Sequence, residues 1–253
     1  MYKRLFTFGC SFTRFGWPTW ADIMAWDLGI PSENWGISGL GNVGIFHRMV
    51  ECDLKNKFTE DDLIVVLWTS WQREDRYRRH WQAHGNIFSE QYYDSKFINK
   101  HWSLDNDIIK NSTAIISANK MYKINFQSNI TPLLNFENEK DKKLLTDREQ
   151  FLFNFYKEFI PNHTSFQYNA LEAFDTYKYD DHPTVIHHLN FLRNQIYLDL
   201  NLEINFNTVH ICEDIHNDIK KICPLPYDKD LYPIISSMIQ QKHNLSYRRP
   251  VGF

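Results

Sequence analysis

The chain has 253 residues, a formal net charge of -3 and a sequence pI near 6.4, so it carries no global cationic field of the kind that grips nucleic acid or an anionic membrane. Apolar residues make up 43% and charged residues 23%, which excludes a disordered chain and provides for one sizeable core. Cys10, Cys52, Cys212 and Cys223 form no C-x-x-C pair; neither a zinc knuckle nor a disulfide framework is expected, and they read as free thiols in a reducing compartment.

Leu5-Phe6-Thr7-Phe8 is a β-prone run that stops at Gly9, which places Ser11 just past the C-terminal end of a strand. Met1 to Arg4 lead straight into that run, too short for a signal h-region, and no stretch reaches the roughly 18 apolar residues of a membrane span. A cytoplasmic or virion-associated location is therefore expected. Trp20, Ile23, Met24 and Leu28 recur at helical spacing until Gly29 and Pro31 end the pattern. Asn34-Trp35-Gly36 opens a turn region, and Gly39-Leu40-Gly41-Asn42 leads into a helix expected from Val43 to Lys55. Leu63 to Trp68 is apolar on both faces, as in a central parallel strand covered by helices.

The polar and aromatic stretch 72–102 reads as an insertion at the sheet's C-terminal edge, where loops carry function. A helix over Leu104 to Met121 and a strand-like run from Tyr122 to Leu134 follow. A second insertion, 135–170, holds the charged run Glu137 to Arg148 and an aromatic-rich helix over Phe151 to Ile160. Thr184 to Leu198 is the last core helix. Residues 201–253 are expected as a C-terminal extension packed on or projecting from the same domain, with a strand from Asn205 to Cys212, a helix from Glu213 to Ile222 and a Pro-punctuated tail. Repeated β-then-α order implies an α/β fold, a three-layer α/β/α sandwich with a mostly parallel central sheet. Ligands in such sheets bind beyond the strands' C-terminal ends. The sequons at Asn111, Asn162 and Asn244 carry no weight without export.

Four segments fall at that edge: Gly9-Cys10-Ser11, Asn34-Trp35-Gly36-Ile37-Ser38-Gly39, Leu67-Trp68-Thr69-Ser70-Trp71, and Asp180-Asp181-His182-Pro183. In this order they resemble the first, second, third and fifth blocks of the SGNH (GDSL-like) hydrolase superfamily, over roughly residues 1–200. The resemblance implies an SGNH-hydrolase, flavodoxin-like fold with Ser11 as nucleophile and His182 as base. It also implies an oxyanion site built from the N–H groups of Ser11 and Gly39 and a side chain of the third block. These types are needed together because a serine hydroxyl is a poor nucleophile at neutral pH: it needs a base, and the base needs an orienting acid. This chain departs from the family pattern at three places. Cys10 stands where Asp is common. Tyr179 stands where the acid is expected, leaving Asp180 as the favoured orienter and Asp181 as the runner-up. Ser70 replaces the asparagine amide, with Gln72 and Arg73 as donors that could be borrowed.

Other features have blander explanations beside the chemical ones. Cys10 is the better intrinsic nucleophile, but adjacent residues point apart. His187 and His188 read as packing or surface residues on the last helix. His80 and His84 have the spacing of a metal pair on a helix face but lack a third ligand, so no metal and no cofactor is expected. Arg76, Arg78 and Arg79 suit an anionic group or, more simply, a solvated face. The many tryptophans of the first 102 residues, Trp71 among them, suit stacking on sugar rings or acyl chains. The expected function is a serine esterase that removes a small acyl group, such as acetyl, from a carbohydrate-like or other hydroxylated substrate. The alternatives are acyl transfer by the same triad and a non-catalytic subunit of a larger assembly such as a phage virion. Partner expectations are a small-molecule or glycan ester, no nucleic acid and no membrane, with a protein partner or a second copy docking through the C-terminal extension.

Overall fold

The structure is a computed structural model that describes residues 2–88, 92–130, 145–160, 165–223 and 231–245. In chain order the first half holds β1 (Arg4–Phe8), α1 (Trp20–Leu28), β2 (Ser32–Asn34), α2 (Asn42–Asn56), β3 (Asp62–Trp68), β4 (Arg73–Arg78) and β5 (His80–Asn86). Then come α3 (Ser95–His101), α4 (Leu104–Met121), β6 (Phe126–Asn129), α5 (Asp147–Lys157), α6 (Ala170–Tyr177) and α7 (Val185–Phe191). Helix α7 runs on into a π-helical turn over Leu192–Tyr197 and is followed by α8 (Phe206–Ile222) and α9 (Leu231–His243). The central sheet has the order β2-β1-β3-β6 with every pairing parallel.

Successive strand residues face opposite sides of a sheet, and here the alternation sorts the core into two halves. Leu5, Leu63, Val65, Leu67 and Phe126 pack on one side against Trp20, Ile23 and Met24 of α1, Val185 and Leu189 of α7, and residues of α8 and α9. Phe6, Phe8, Ile64, Val66 and Trp68 pack on the other against Ile45, Met49 and Cys52 of α2 and Ile115 and Ala118 of α4. This is the three-layer sandwich that the β-then-α order implied. β3 is buried along its whole length, as its two-sided apolar run requires. Arg4 grips Asp62 through two nitrogens, at 2.7 and 2.6 Å, and so ties β1 to β3 at the sheet end away from the C-terminal loops.

The helix ends follow local chemistry. The Thr19 backbone N–H donates to Asp22 at 2.9 Å to open α1, and Gly29 closes it in the left-handed region at φ 61. Thr184 and His187 form the same reciprocal cap at the start of α7.

Two expectations are corrected. Asn205 to Cys212 is the first half of α8, not a strand: Thr208, Cys212, Ile215 and Ile219 are buried at spacings of four, three and four, a helical stripe. Phe206, Thr208, Val209 and Ile211 lend the segment β propensity, which packing overrides. Residues 206–222 and 231–243 pack on the same domain, where Cys212, Ile215, Ile219, Leu231, Ile235 and Ile239 share the core with α1 and α7. The strand-like run from Tyr122 shortens to β6, extended by a parallel bridge between Asn129 and Ser165, and the rest of it beyond Ile130 lies outside the described residues, as does most of the charged run. Among the described residues no helix is long and apolar enough to cross a membrane.

Candidate active site

The first strand delivers its last residue, Phe8, into a tight turn in which the N–H groups of Thr13 and Arg14 both donate to the Cys10 carbonyl, at 3.0 and 3.1 Å. Ser11 sits inside this turn and is 5% exposed, while Cys10 is fully buried in the core. Position 9 admits only glycine: a Cβ there would stand 2.0 Å from Thr13 Oγ1 and 2.9 Å from the Leu67 carbonyl. The close approach brings the ends of β1 and β3 together beneath Ser11.

The second segment joins them, since Ile37 N–H donates to the Gly9 carbonyl at 3.1 Å. Gly39 lies in the left-handed region at φ 80, where a Cβ would meet the Ala83 carbonyl at 2.5 Å. The residues crowding it belong to the antiparallel hairpin β4–β5, so residues 73–86 of the stretch expected as an insertion fold over the glycine loop. Gly85 N–H donates to the Gly39 carbonyl at 3.0 Å, and Arg73 Nη1 donates to the Leu40 carbonyl at 3.1 Å. Asp75 accepts from Gly41 N–H at 2.7 Å and Gly44 N–H at 2.9 Å. The Asp75 carboxylate thereby caps α2 from outside the helix, satisfying two of its orphan N–H groups; burial pushes its pKa up, and these two hydrogen bonds oppose the push.

The third segment leaves the sheet at Trp68. Thr69 is fully buried, Trp71 is 7% exposed and Ser70 between them is half-buried. The Asn42 side chain takes a hydrogen bond from Thr69 N–H at 2.8 Å and returns one to its carbonyl at 3.0 Å.

The fourth segment is the loop before α7. Asp180 Oδ1 accepts from the backbone N–H of His182 at 2.8 Å and is also hydrogen-bonded to His182 Nδ1. Burial opposes ionisation of Asp180, yet the hydrogen bonds and charge of His182 hold its carboxyl below the usual range. Asp181 Oδ1 stands 3.9 Å from the same nitrogen on a side chain that is 71% exposed. Of the two acids left open by spacing, Asp180 is the one that grips the ring. The His182 ring stacks on Phe15 at 3.9 Å and 15°, and packs edge-on to Phe12 at 5.6 Å. Trp17 Nε1 donates to the Pro183 carbonyl at 2.8 Å, so the turn opened by Ser11 and the loop carrying His182 are fastened together. No hydrogen bond joins Ser11 Oγ to His182 among the described residues; with Nδ1 engaged by Asp180, Nε2 is the ring nitrogen left for a substrate-bound arrangement.

Proteins of known structure with similar folds are esterases or GDSL-family lipolytic proteins by their names. An acetylxylan esterase from Geobacillus stearothermophilus, crystallised as a catalytic mutant, is 16% identical with a TM-score of 0.44, over 81% of this chain and 97% of that one. A lipolytic protein of the G-D-S-L family from Veillonella parvula is 13% identical, TM-score 0.40, over 74% and 92%. The psychrotrophic esterase EstA from Pseudoalteromonas is 9% identical, TM-score 0.41, over 79% and 97%. No protein-family model and no curated protein matches the chain. Identities this low and TM-scores below 0.5 leave the functional assignment to this chain's own residues.

The remaining candidates are placed as follows. Gln72 is exposed, its side chain taking a 3.5 Å hydrogen bond from Asn86, and Arg73 is engaged by the glycine loop. His80 and His84 lie on strand β5, not on a helix. The strand placement corrects the helix-face pairing. Asp180, Asp181 and His182 bring three ligand atoms within 4.8 Å of one another, and among them Asp180 is hydrogen-bonded to His182 Nδ1. His188 is buried, and that burial, with the neighbouring His187 and His182, pushes its pKa well below the usual value. Arg76 lies over the Phe97 ring at 4.8 Å. Three contributors escaped the sequence reading: Phe15, Asn42 and Asp75. Of these only Asn42 had a signal, a polar residue directly after Gly39-Leu40-Gly41 at the mouth of a helix.

Proposed function

We propose that the chain is a serine esterase of the SGNH kind, cleaving a small acyl ester such as an acetyl group from a carbohydrate-like or other hydroxylated substrate. The observation that carries this is the His182 ring: Asp180 holds its Nδ1, and it lies face to face with Phe15 in the segment that Ser11 opens. A histidine oriented by an acid and packed against the segment that carries a serine at the end of the first strand supports the constellation that nucleophilic acyl transfer needs.

In this mechanism Ser11 Oγ attacks the acyl carbon while His182 Nε2 takes its proton, and Asp180 stabilises the imidazolium. Negative charge growing on the carbonyl oxygen is met by the N–H groups of Ser11 and Gly39 and by the Ser70 hydroxyl, each worth about 3–4 kcal/mol when well aimed. Collapse of the tetrahedral intermediate breaks the ester C–O bond, and His182 returns the proton to the leaving alcohol. Water then repeats the sequence on the acyl-serine, releasing the acid. The partly exposed rings of Phe15 and Tyr168 beside the His182 loop favour apolar acyl groups and flat sugar faces.

The test is turnover of p-nitrophenyl acetate by the wild type, Ser11→Ala and His182→Ala. Either variant is expected to lose at least about 10³-fold in kcat; equal rates in all three would overturn the proposal.

A further inference from the structure

Thr69 Oγ1 and Trp71 Nε1, the polar side-chain atoms on either side of Ser70, are buried and hydrogen-bond to nothing among the described residues. The segment therefore does not hold itself in place. Nor does the sheet hold it: β3 pairs with β1 only as far as Val66 and with β6 only as far as Trp68. Beyond that point the backbone bonds go to two side-chain amides.

Asn42, 1% exposed, stands in for the missing strand, accepting from Thr69 N–H at 2.8 Å and donating to Thr69 C=O at 3.0 Å. Its Nδ2 also donates to Asn111 Oδ1 at 3.0 Å. Asn111, equally buried, donates to the Trp71 carbonyl at 3.1 Å and to the Asp107 carbonyl of its own helix at 2.7 Å. The amide pair thus clamps the backbone on both sides of Ser70 and ties it to α2, whose mouth carries Gly39, and to α4. Each bond is buried, where an unmade one is costly, so the clamp favours this arrangement. The Asn111 sequon is spoken for by this role.

Resting on the SGNH reading of the site, we infer that Asn42 and Asn111 are positioning residues for the Ser70 hydroxyl, fixing it as an oxyanion donor. An amide placed one residue away on each side compensates for the short arm of a serine where a longer side chain would reach unaided. Pre-orientation of this kind acts on the transition state more than on the bound ester, so it moves kcat and not KM.

The test is a double-mutant cycle on p-nitrophenyl acetate with Asn111→Asp and Ser70→Ala, with Ser11→Ala as the control for the reading itself. Asp at 111 keeps the acceptor for Asn42 but loses both donors. Each single variant is expected to lower kcat by about 10–100-fold with KM within about twofold, and the double variant to be no slower than the slower single. Losses that multiply, or an Asn111→Asp enzyme with wild-type kcat, would overturn the inference. Asn42→Asp, which keeps only the bond from Thr69 N–H, provides an independent cycle judged in the same way should Asn111→Asp fail to fold. If Ser11→Ala retains the wild-type rate, the esterase reading falls first, and the cycle is then without a reaction to measure.

Discussion

The two sides of the candidate site are held by different physics. On the histidine side the parts are aromatic: Phe12, Phe15 and Trp17 pack against the His182 loop, with the Asp180 carboxylate and the Trp17–Pro183 hydrogen bond as its polar fixtures. On the side of Gly39 and Ser70 the parts are polar: the Asn42–Asn111 pair, the Asp75 carboxylate and the backbone bond from Gly85 to Gly39 fix the loops there. Apolar packing loses strength gradually when trimmed, whereas buried hydrogen bonds leave unsatisfied groups when one partner goes. In the proposed mechanism His182 adjusts by small shifts during the cycle, while the donors at Gly39 and Ser70 are set in advance. That division suits a reaction in which the proton moves and the oxyanion site must not.

Substitutions can break this contrast. The largest effect is expected from Asp180→Asn, which keeps the shape but removes the charge and permits the wrong tautomer; kcat should fall by about 10³–10⁴-fold. Asp181→Asn, on the exposed side chain 3.9 Å from His182 Nδ1, should stay within about threefold. Equal losses would show that both acids serve the ring.

On the polar side, Gly39→Ala forces a Cβ to within 2.5 Å of the Ala83 carbonyl at a left-handed φ, a strain of about 1–3 kcal/mol. A lowered melting temperature together with a kcat reduced by about 10–100-fold is expected, and an unchanged kcat would detach the glycine loop from the oxyanion role. On the aromatic side, Phe15→Leu keeps apolar volume but removes the stacked face; a kcat loss of only about 3–10-fold with little change in melting temperature is expected. A loss as large as that from Asp180→Asn would show the aromatic side to be as exacting as the polar one.

The smallest effect is in pH dependence. Asp180 has a folded-state pKa below its unfolded one, despite burial, because His182 bonds to its charged form. It therefore contributes stability that is complete above the unfolded value of about 4 and is lost as pH falls through the folded value. Thermal melts of wild type and Asp180→Asn should converge as pH drops below about 4; a gap that persists unchanged in acid would contradict this.

Much of the frame was legible because it rests on local patterns. β3 is six consecutive apolar residues after an Asp, and α1 and α4 show helical spacing with clear ends, so their boundaries follow from periodicity. β2 is Ser-Glu-Asn on an edge, with no apolar residue to announce it, and the hairpin β4–β5 is charged and aromatic because it covers a loop instead of filling a core. α8 misled because its β-branched residues carry strand propensity while its burial follows a helix. In the site, Ser11, His182 and the acidic pair were visible as blocks. The choice of Asp180 over Asp181 depends on how the loop curls, which spacing cannot decide. Asn111 left a trace that was not used: it occupies the buried stripe of Ile108, Ile115 and Ala118, where a polar residue must find partners. Those partners are 40 and 69 residues away, beyond any local pattern.

The central claim is that the hydroxyl of Ser11 is activated by His182. Reaction of the folded protein with a fluorophosphonate, followed by mass spectrometry of the peptide containing Ser11, tests it most directly. The account predicts a covalent adduct on Ser11 that forms readily in the wild type and is lost in His182→Ala. An unlabelled Ser11, or labelling that proceeds equally without the imidazole, would contradict it.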